Sequence, residues 1–359
     1  VGRAVLPADY LTDGPQAGIS LSKGAVINGI KVPFDTQPVG SISAILPGQY
    51  PGTWLALGSG QLGQSASSGD FLLRFYVFEL SMRRASSGGG DVTMLDGTIL
   101  ADPNARAGGI VNEGTSTRYL TGADFIPRAF QKAGGAYWVA ESKGPSLLRF
   151  DAYGKLLEAP IPLEGAGDLQ GMGILPDETA LVIAQRDSGN RRRIVLRTFD
   201  LTTRTFDTLP TAYTLEQNGN SVSSLMMINS DQAVVIETDG GENAKAGFKR
   251  IFLINVRDGS GGKTLLIDLL NIADPNGISS DPVFNMPGDA FGLGDPFRFP
   301  FSAITSMYPS DEQTLIIANN NLLPYGLGRS KSQADSTEYI AVRLGQPLRL
   351  DAAFLRPLG

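Results

Sequence analysis

The chain has 359 residues, of which 42% are apolar and 18% are charged, and its formal net charge is −6. This apolar fraction is enough for a sizeable core and excludes bulk disorder. The 44 glycines favour many short strands and turns over a helical bundle. The negative charge and the lack of a basic patch argue against nucleic acid as a partner.

The chain contains neither cysteine nor histidine. This excludes disulfides, thiolate zinc sites, cysteine nucleophiles, histidine-ligated metals and the Ser-His-Asp triad. An enzyme made from this chain would depend on carboxylates, lysine, arginine, tyrosine, hydroxyls or a metal held by oxygen ligands.

No run of 18 apolar residues occurs, so the sequence predicts no transmembrane helix. The chain begins at Val1 rather than Met, and its first residues lack the pattern of a signal peptide. We expect a cleaved leader, which together with the absence of cysteine predicts a periplasmic or extracellular bacterial protein. The lack of cysteine alone would fit a cytosolic protein equally well.

One repeat unit recurs along the chain. It consists of a short apolar strand, a polar loop rich in Gly, Ser or Asn, and a second strand that often contains an arginine. Five copies begin at Trp54, Tyr137, Ala180, Ala233 and Thr314. The alternation in segments such as RIFLINV has a period near 2, which indicates antiparallel strands. A third strand is expected to follow, as in LLEAPIPL and TLLIDLL.

The spacing of the copies predicts an all-β propeller in a single domain, residues 1–359. Two of the gaps are about twice as long as the others, and each leaves room for one more blade of roughly 40–50 residues. We therefore expect seven blades, with six as the second choice. We expect the segment 19–32 to close the ring against the segment 347–355. A β-sandwich and a parallel β-helix are the alternative folds.

A propeller brings the loops at one end of its strands together around a central channel. The residues that end the first strand of each copy are polar or small, and they stand at 58–60, 140–142, 185–187, 237–239 and 318–321. Carboxylates and amides from several blades would suit calcium. The alternative is that Asp, Asn and Gly are simply good turn formers at strand ends. Asp124 is either a support of the channel or a turn acid.

Ten segments in order give the chain a resemblance to a known family. They include SGDFLLRFYVFEL, WVAESKGPSLLRFDAYGKLL, LQGMGILPDETALVIAQ, VVIETDGG, AGFKRIFLINV, RFPFSAITSM and LIIANNNLLPYGLGR, and they extend from about residue 40 to residue 344. The chain resembles the phytase-like proteins, described as "esterase-like activity of phytase", which are secreted or periplasmic propellers of bacteria and plants.

The resemblance implies a calcium-dependent hydrolase of phosphoesters or other esters. In that interpretation the catalytic residues would be Glu141, Glu237 and Asp239. The calcium ligands would be Asp124, Glu141, Glu237, Asp335 and Glu338. Lys249, Arg250 and Arg329 would bind the phosphate of a small substrate, since Arg and Lys pair with oxyanions. The alternative for these three is that they are solvated charges at strand ends.

The chain departs from the family at positions where an acid is usual. The residues found there are Ser59, Arg128, Ala140, Gln170, Thr305 and Asn319. Because calcium affinity depends on the number of charged ligands, we expect the Ca²⁺ site to be weakened or absent. The leading expectation is therefore a non-catalytic binding, structural or assembly protein, with a protein partner or self-assembly. The active hydrolase and a lectin-like propeller that binds a small ligand are the alternatives.

Overall fold

The computed structural model describes residues 2–21, 24–163, 165, 167–217, 220–257, 262–280 and 290–355. In this part of the chain, five antiparallel sheets stand around a central axis as the blades of a β-propeller. The innermost strands of the five sheets contact one another in a closed ring. The described residues include no helix long and apolar enough to cross a bilayer. The expected all-β propeller is thus confirmed.

The first strands belong to the last blade or to an N-terminal extension. They are β1 (Gly2–Leu6), β2 (Leu11–Thr12), β3 (Val26–Ile27), β4 (Ile30–Lys31) and β5 (Gln37–Pro38). Blade 1 contains β6 (Ile42–Pro47), β7 (Thr53–Gly58), β8 (Arg74–Leu80) and β9 (Val92–Ile99). Blade 2 contains β10 (Pro127–Ala133), β11 (Ala136–Glu141), β12 (Ser146–Phe150) and β13 (Ile161–Pro162).

Blade 3 contains β14 (Leu169–Ile174), β15 (Ala180–Arg186), β16 (Arg193–Asp200), β17 (Thr205–Phe206) and β18 (Thr211–Thr214). Blade 4 contains β19 (Ser221–Met227), β20 (Gln232–Thr238), β21 (Lys249–Asn255) and β22 (Thr264–Asp268). Blade 5 contains β23 (Ile304–Asp311), β24 (Thr314–Asn319) and β25 (Thr337–Arg343), and β1 completes it. Short 3₁₀ helices occupy Ser65–Ser67, Asn243–Lys245, Ile278–Ser280 and Ala352–Leu355.

The blade count predicted from the sequence, seven or six, is wrong, because the part of the chain that the structure describes forms five blades. Each of the five repeats is one blade, and the described residues in the two long gaps, 100–126 and then 269–280 with 290–303, form loops that add no further blade. Both loops begin with the same turn, in which the buried carboxylates of Asp102 and Asp274 accept backbone N–H groups four and five residues further on. Arg118 also pairs with Asp102 at 3.1 Å inside the first loop. Hydrogen bonds of this kind order a long loop without a sheet.

The strand that opens each repeat is the second strand of a blade and not the innermost one. These strands are buried nearly throughout, as in β20, because neighbouring blades cover both faces of each sheet. A strand covered on both faces needs a continuous apolar run rather than an alternating one. That is why the second strands gave the clearest sequence signal, as in AVVIE and TLIIA.

The ring is closed by β1, which pairs antiparallel with β25 from Gly2 to Leu6. The segment expected to do this, residues 19–32, lies elsewhere. It forms the small hairpin of β3 and β4 and packs into a second apolar cluster with Phe34 and Phe71. Blades 3 and 4 approach closely at Gly171, where an added Cβ would lie 2.9 Å from the backbone nitrogen of Leu225. Glycine is therefore required there for the inner strands to pack.

Candidate functional site

The five innermost strands β6, β10, β14, β19 and β23 begin at one end of the channel, which we call the mouth. Each second strand runs antiparallel to its inner strand and returns to the mouth, so that Glu141 pairs with Pro127 and Asn319 with Ile304. The strand ends singled out in the sequence therefore do share one face of the propeller. They lie one strand away from the axis, and the starts of the inner strands separate them from the channel.

Every inner strand carries a β-bulge directly after its first or second residue. A bulge leaves one residue outside the ladder and turns its side chain in a new direction. We call the five residues at this position the bulge ring. Its members are Ser43, Arg128, Gln170, Ser223 and Thr305. Three of them, Arg128, Gln170 and Thr305, are positions at which the family resemblance led us to expect an acid.

Four members of the bulge ring are hydrogen-bonded to the next blade. The hydroxyl of Ser43 donates to the Pro127 carbonyl at 2.9 Å, and that of Thr305 donates to the Ile42 carbonyl at 2.9 Å. The hydroxyl of Ser223 donates to the Ile304 carbonyl at 2.6 Å. The amide oxygen of Gln170 accepts the backbone N–H of Val222 at 3.1 Å. These bonds join blade 1 to 2, 5 to 1, 4 to 5 and 3 to 4.

Arg128 holds the fifth position and makes no such bond to blade 3. Its Nε donates to the Ser142 hydroxyl at 3.1 Å, within its own blade, and its side chain is exposed. The channel below it is nearly filled by inner-strand side chains, with a cavity of about 20 Å³. Desolvation by the surrounding atoms lowers the pKa of the guanidinium, which nevertheless stays charged at neutral pH.

Glu141, predicted to be catalytic and to bind metal, is buried at the end of β11. Its Oε1 accepts the N–H of Gly144 at 2.9 Å and the hydroxyl of Ser146 at 3.0 Å. Its Oε2 accepts the N–H of Lys143 at 2.8 Å and that of Ile126 at 3.3 Å. The carboxylate thus holds together the turn between β11 and β12, and both of its oxygens are satisfied.

Glu237 is fully buried in β20 and is also paired. Its Oε1 lies 2.7 Å from Nζ of Lys263, and its Oε2 accepts the backbone N–H of Glu216 at 2.9 Å. Lys263 also lies 3.2 Å from the carboxylate of Glu216. Sequence reasoning did not single out Lys263, because this residue stands outside the recurring segments.

Asp239 and Lys249 are brought together, as one ion pair at 2.7 Å. Burial alone would raise the pKa of Asp239, but Lys249 and the backbone N–H of Gly247 lower it below its usual value. Burial lowers the pKa of Lys249, against the attraction of the same aspartate. Arg250 faces another way and donates its Nε to Asp268 at 2.9 Å.

Arg329 and Glu338 form a buried network with Arg3 of the closing strand. The Nε of Arg329 donates to Glu338 Oε1 at 2.7 Å, and its Nη2 donates to Oε2 at 2.9 Å. Its Nη1 donates to the carbonyls of Phe291 and Arg298. Nε of Arg3 donates to Glu338 Oε2 at 3.1 Å. Burial alone would raise the pKa of Glu338, but the two arginines lower it to about 2.

The two remaining acids also bind the backbone. Asp335 is buried and accepts the N–H groups of Gly328 and Arg329, and burial raises its pKa to about 7. Asp124 accepts the N–H of Val111 at 2.7 Å and that of Thr121 at 2.8 Å, so it is a turn acid.

The predicted calcium ligands are dispersed over blades 2, 4 and 5. Among the residues that the structure describes, no group of three or more acidic side chains is placed to hold a metal ion. A groove of about 440 Å³ lies on the opposite face, between blades 1 and 5, and is lined by residues such as Tyr50, Trp54 and Phe354. No residue of the predicted site lines it.

The bulge ring is the feature that the sequence reasoning missed as a set. Its signal is present in the sequence as an apolar residue, a polar residue and then a small one or glycine. The five copies are Ile42-Ser43-Ala44, Pro127-Arg128-Ala129, Leu169-Gln170-Gly171, Val222-Ser223-Ser224 and Ile304-Thr305-Ser306. This three-residue pattern precedes each copy of the strand that the repeat search detected, and it marks the true inner strand.

A family model described as "Phytase-like: Esterase-like activity of phytase" matches residues 37–321. A comparison with curated protein sequences gives no match.

Among solved structures, the chain is similar to a luciferin-regenerating enzyme, with 13% identity over 88% of this chain and 82% of the other and a TM-score of 0.40. It is similar to the hydrazine synthase of Kuenenia stuttgartiensis, with 8% identity, coverage of 82% and 81%, and a TM-score of 0.39. It is also similar to the Cps50 (Swd1) β-propeller domain of Myceliophteria thermophila, with 9% identity, coverage of 84% and 83%, and a TM-score of 0.38.

Proposed function

Because the chain belongs to the phytase-like family, we propose that it is a member that keeps the propeller and lacks the family's calcium chemistry. It serves outside the cytoplasm as a non-catalytic binding or assembly protein. The observation that carries this proposal is the composition of the bulge ring, which holds two serines, a threonine, a glutamine and an arginine at the mouth of the channel.

Calcium needs several oxygen ligands, and its affinity rises with the number of carboxylates among them. At three ring positions the family usually supplies an acid, and this chain has Arg128, Gln170 and Thr305 instead. The guanidinium of Arg128 adds repulsion between like charges at the place where a cation would sit. The bulge ring therefore favours a mouth that does not bind divalent cations.

The acids that the chain retains do not compensate for this loss. Glu141 and Glu237 each carry donors on both carboxylate oxygens. Glu338 is shared by two arginines. To bind calcium, any of these carboxylates would have to give up bonds in a buried setting, which leaves buried donors unpaired.

The first test is calcium titration calorimetry on metal-stripped protein, with phosphatase and esterase assays on the same sample. We expect no micromolar calcium binding and no calcium-dependent turnover. Micromolar binding together with calcium-dependent turnover would overturn the proposal and establish the hydrolase.

A second test restores the acids of the family. In the triple variant Arg128→Glu, Gln170→Glu, Thr305→Glu, we expect calcium binding to appear, with Kd of about 10⁻⁴–10⁻³ M as in weak calcium sites. The control variant Arg349→Glu, Gln346→Glu, Thr208→Glu makes the same change in net charge at exposed positions away from the mouth. Equal calcium binding by both variants would show a general charge effect and would contradict the role given to the bulge ring.

A further inference from the structure

The backbone bulge is repeated in all five blades, but the hydrogen bond from the bulge ring to the next blade is present at only four of the five junctions between described blades. At four junctions the ring side chain is held by the backbone of the next blade. At the junction of blades 2 and 3, the corresponding acceptor would be the carbonyl of Leu169. The side-chain amide nitrogen of Gln170 donates to this carbonyl instead, at 3.4 Å. Arg128 is thereby left without a structural partner across the junction.

The guanidinium of Arg128 is also without a counter-charge. Its described hydrogen bond is the one from Nε to Ser142, and no described carboxylate lies within 4.0 Å of it. The other four ring members are neutral. The bulge ring therefore carries one full positive charge, that of Arg128, and no described hydrogen bond joins its two terminal nitrogens to the protein.

This arrangement differs from that of the other arginines in the candidate site. Arg329 uses Nε and both terminal nitrogens on protein acceptors, and Arg250 is held by Asp268. A planar guanidinium with free terminal N–H groups matches an oxyanion, which it can bind with two parallel hydrogen bonds.

We propose that the mouth binds a small oxyanion, the carboxylate or phosphoryl group of a ligand, through the terminal nitrogens of Arg128. The inference rests on the proposed function, because a mouth that held calcium would present a cation and carboxylates here. It goes further by giving the charge and the chemical class of the ligand.

The test is calorimetric titration of the full chain with inorganic phosphate and, separately, with acetate, at low ionic strength and in the presence of EDTA. We expect binding with Kd on the order of 1 mM for at least one of the two anions. Arg128→Gln should weaken it by at least about tenfold, and Arg128→Lys, which keeps the charge, should weaken it less. The matched control is Arg349→Gln, an exposed arginine beyond the far end of β25, which should bind like the wild type. The relative affinity of the two anions distinguishes a phosphoryl from a carboxylate ligand.

Absence of binding of both anions to the wild type would overturn the inference. So would an equal loss in Arg128→Gln and Arg349→Gln. Neither result would contradict the proposed function, which the calcium titration tests separately. Phosphate binding that requires calcium and disappears with EDTA would overturn both, because it would place a metal at the mouth. A thermal melt of each variant, unchanged from the wild type, shows that lost binding is not lost folding.

Discussion

Two arginines of this propeller have each been considered for binding an anionic ligand, and their surroundings are opposite. Arg329, in the closing blade, is buried, donates to both oxygens of Glu338 and two carbonyls, and lies between the rings of Phe297 and Phe301. Arg128, at the mouth, is exposed and donates one described hydrogen bond to a serine. Sequence reasoning assigned Arg329 to ligand binding and counted Arg128 as a lost acid.

The difference follows from the cost of desolvation. Burying an ion costs several kcal/mol of desolvation unless ion pairs and hydrogen bonds offset it. A buried charge is therefore surrounded by groups that bond to it. The bonding capacity of Arg329 is therefore committed to joining β25 to the loops around it. A charge at an open mouth needs no such partners and keeps its donors for a ligand. The contrast predicts which substitutions affect stability and which affect binding.

The largest effect is expected from breaking the closing network with Glu338→Gln. The variant leaves Arg3 and Arg329 buried without a negative charge between them. Removing one partner from a buried ion pair costs about 3–5 kcal/mol. We expect the free energy of unfolding, measured by urea denaturation, to fall by this amount.

The control for this prediction is Glu312→Gln, in an exposed turn of the same blade, which should change stability by less than about 0.5 kcal/mol. If Glu338→Gln were as mild as the control, the network would contribute little to closing the ring, and Arg329 would again be a candidate for ligand binding.

The second effect is the dependence of the same network on pH. The two arginines lower the pKa of Glu338 to about 2 from 4.5. The native state then binds the proton less readily than the unfolded chain, so the stabilisation is complete above pH 4.5 and is lost as pH falls towards 2. The shift corresponds to about 3 kcal/mol. We expect the stability difference between wild type and Glu338→Gln to be constant near neutral pH and to shrink below pH 4.5. A difference that does not change down to pH 2.5 would contradict the assignment.

Much of the fold was predictable from the chain, for a physical reason. The second strands of the blades are covered on both faces, and their apolar runs made all five repeats visible. The blade count failed because a long loop held by buried aspartates, such as Asp102, has the length of a blade but no strand pattern. Stability depends only weakly on loop length, so long insertions are tolerated and the spacing between repeats is a poor guide to the number of blades. The closing strand β1 was missed because a strand of five residues is too short to show a clear pattern of alternating hydrophobicity.

The candidate site was predictable only in part. The sequence located the face of the propeller, and it assigned separate roles to Asp239 and Lys249, which the structure joins in one ion pair. It could not show that Glu141 and Glu237 have donors on both oxygens, because most of those donors are backbone N–H groups, and the others are the Ser146 hydroxyl and the distant Lys263. Backbone donors have no signature in the residue types. Arg128 was noted as a departure from the family, but its importance depends on the bulge, which only the register of β10 and β11 reveals.

The smallest expected effect is a difference in stability between two kinds of bulge-ring residue, those that bond to the next blade and Arg128, which does not. Thr305→Val keeps the shape of the side chain but removes the hydrogen bond to the Ile42 carbonyl across the junction of blades 5 and 1. Losing this buried bond should cost about 1 kcal/mol. Arg128→Ala removes a side chain that crosses no junction and should cost less than about 0.5 kcal/mol. Urea denaturation of both variants, with the exposed Thr208→Val as control, measures the difference. If Arg128→Ala lowers the free energy of unfolding at least as much as Thr305→Val does, then the Arg128 side chain itself stabilises the ring. Its terminal nitrogens would in that case be committed to the protein and not to an anion.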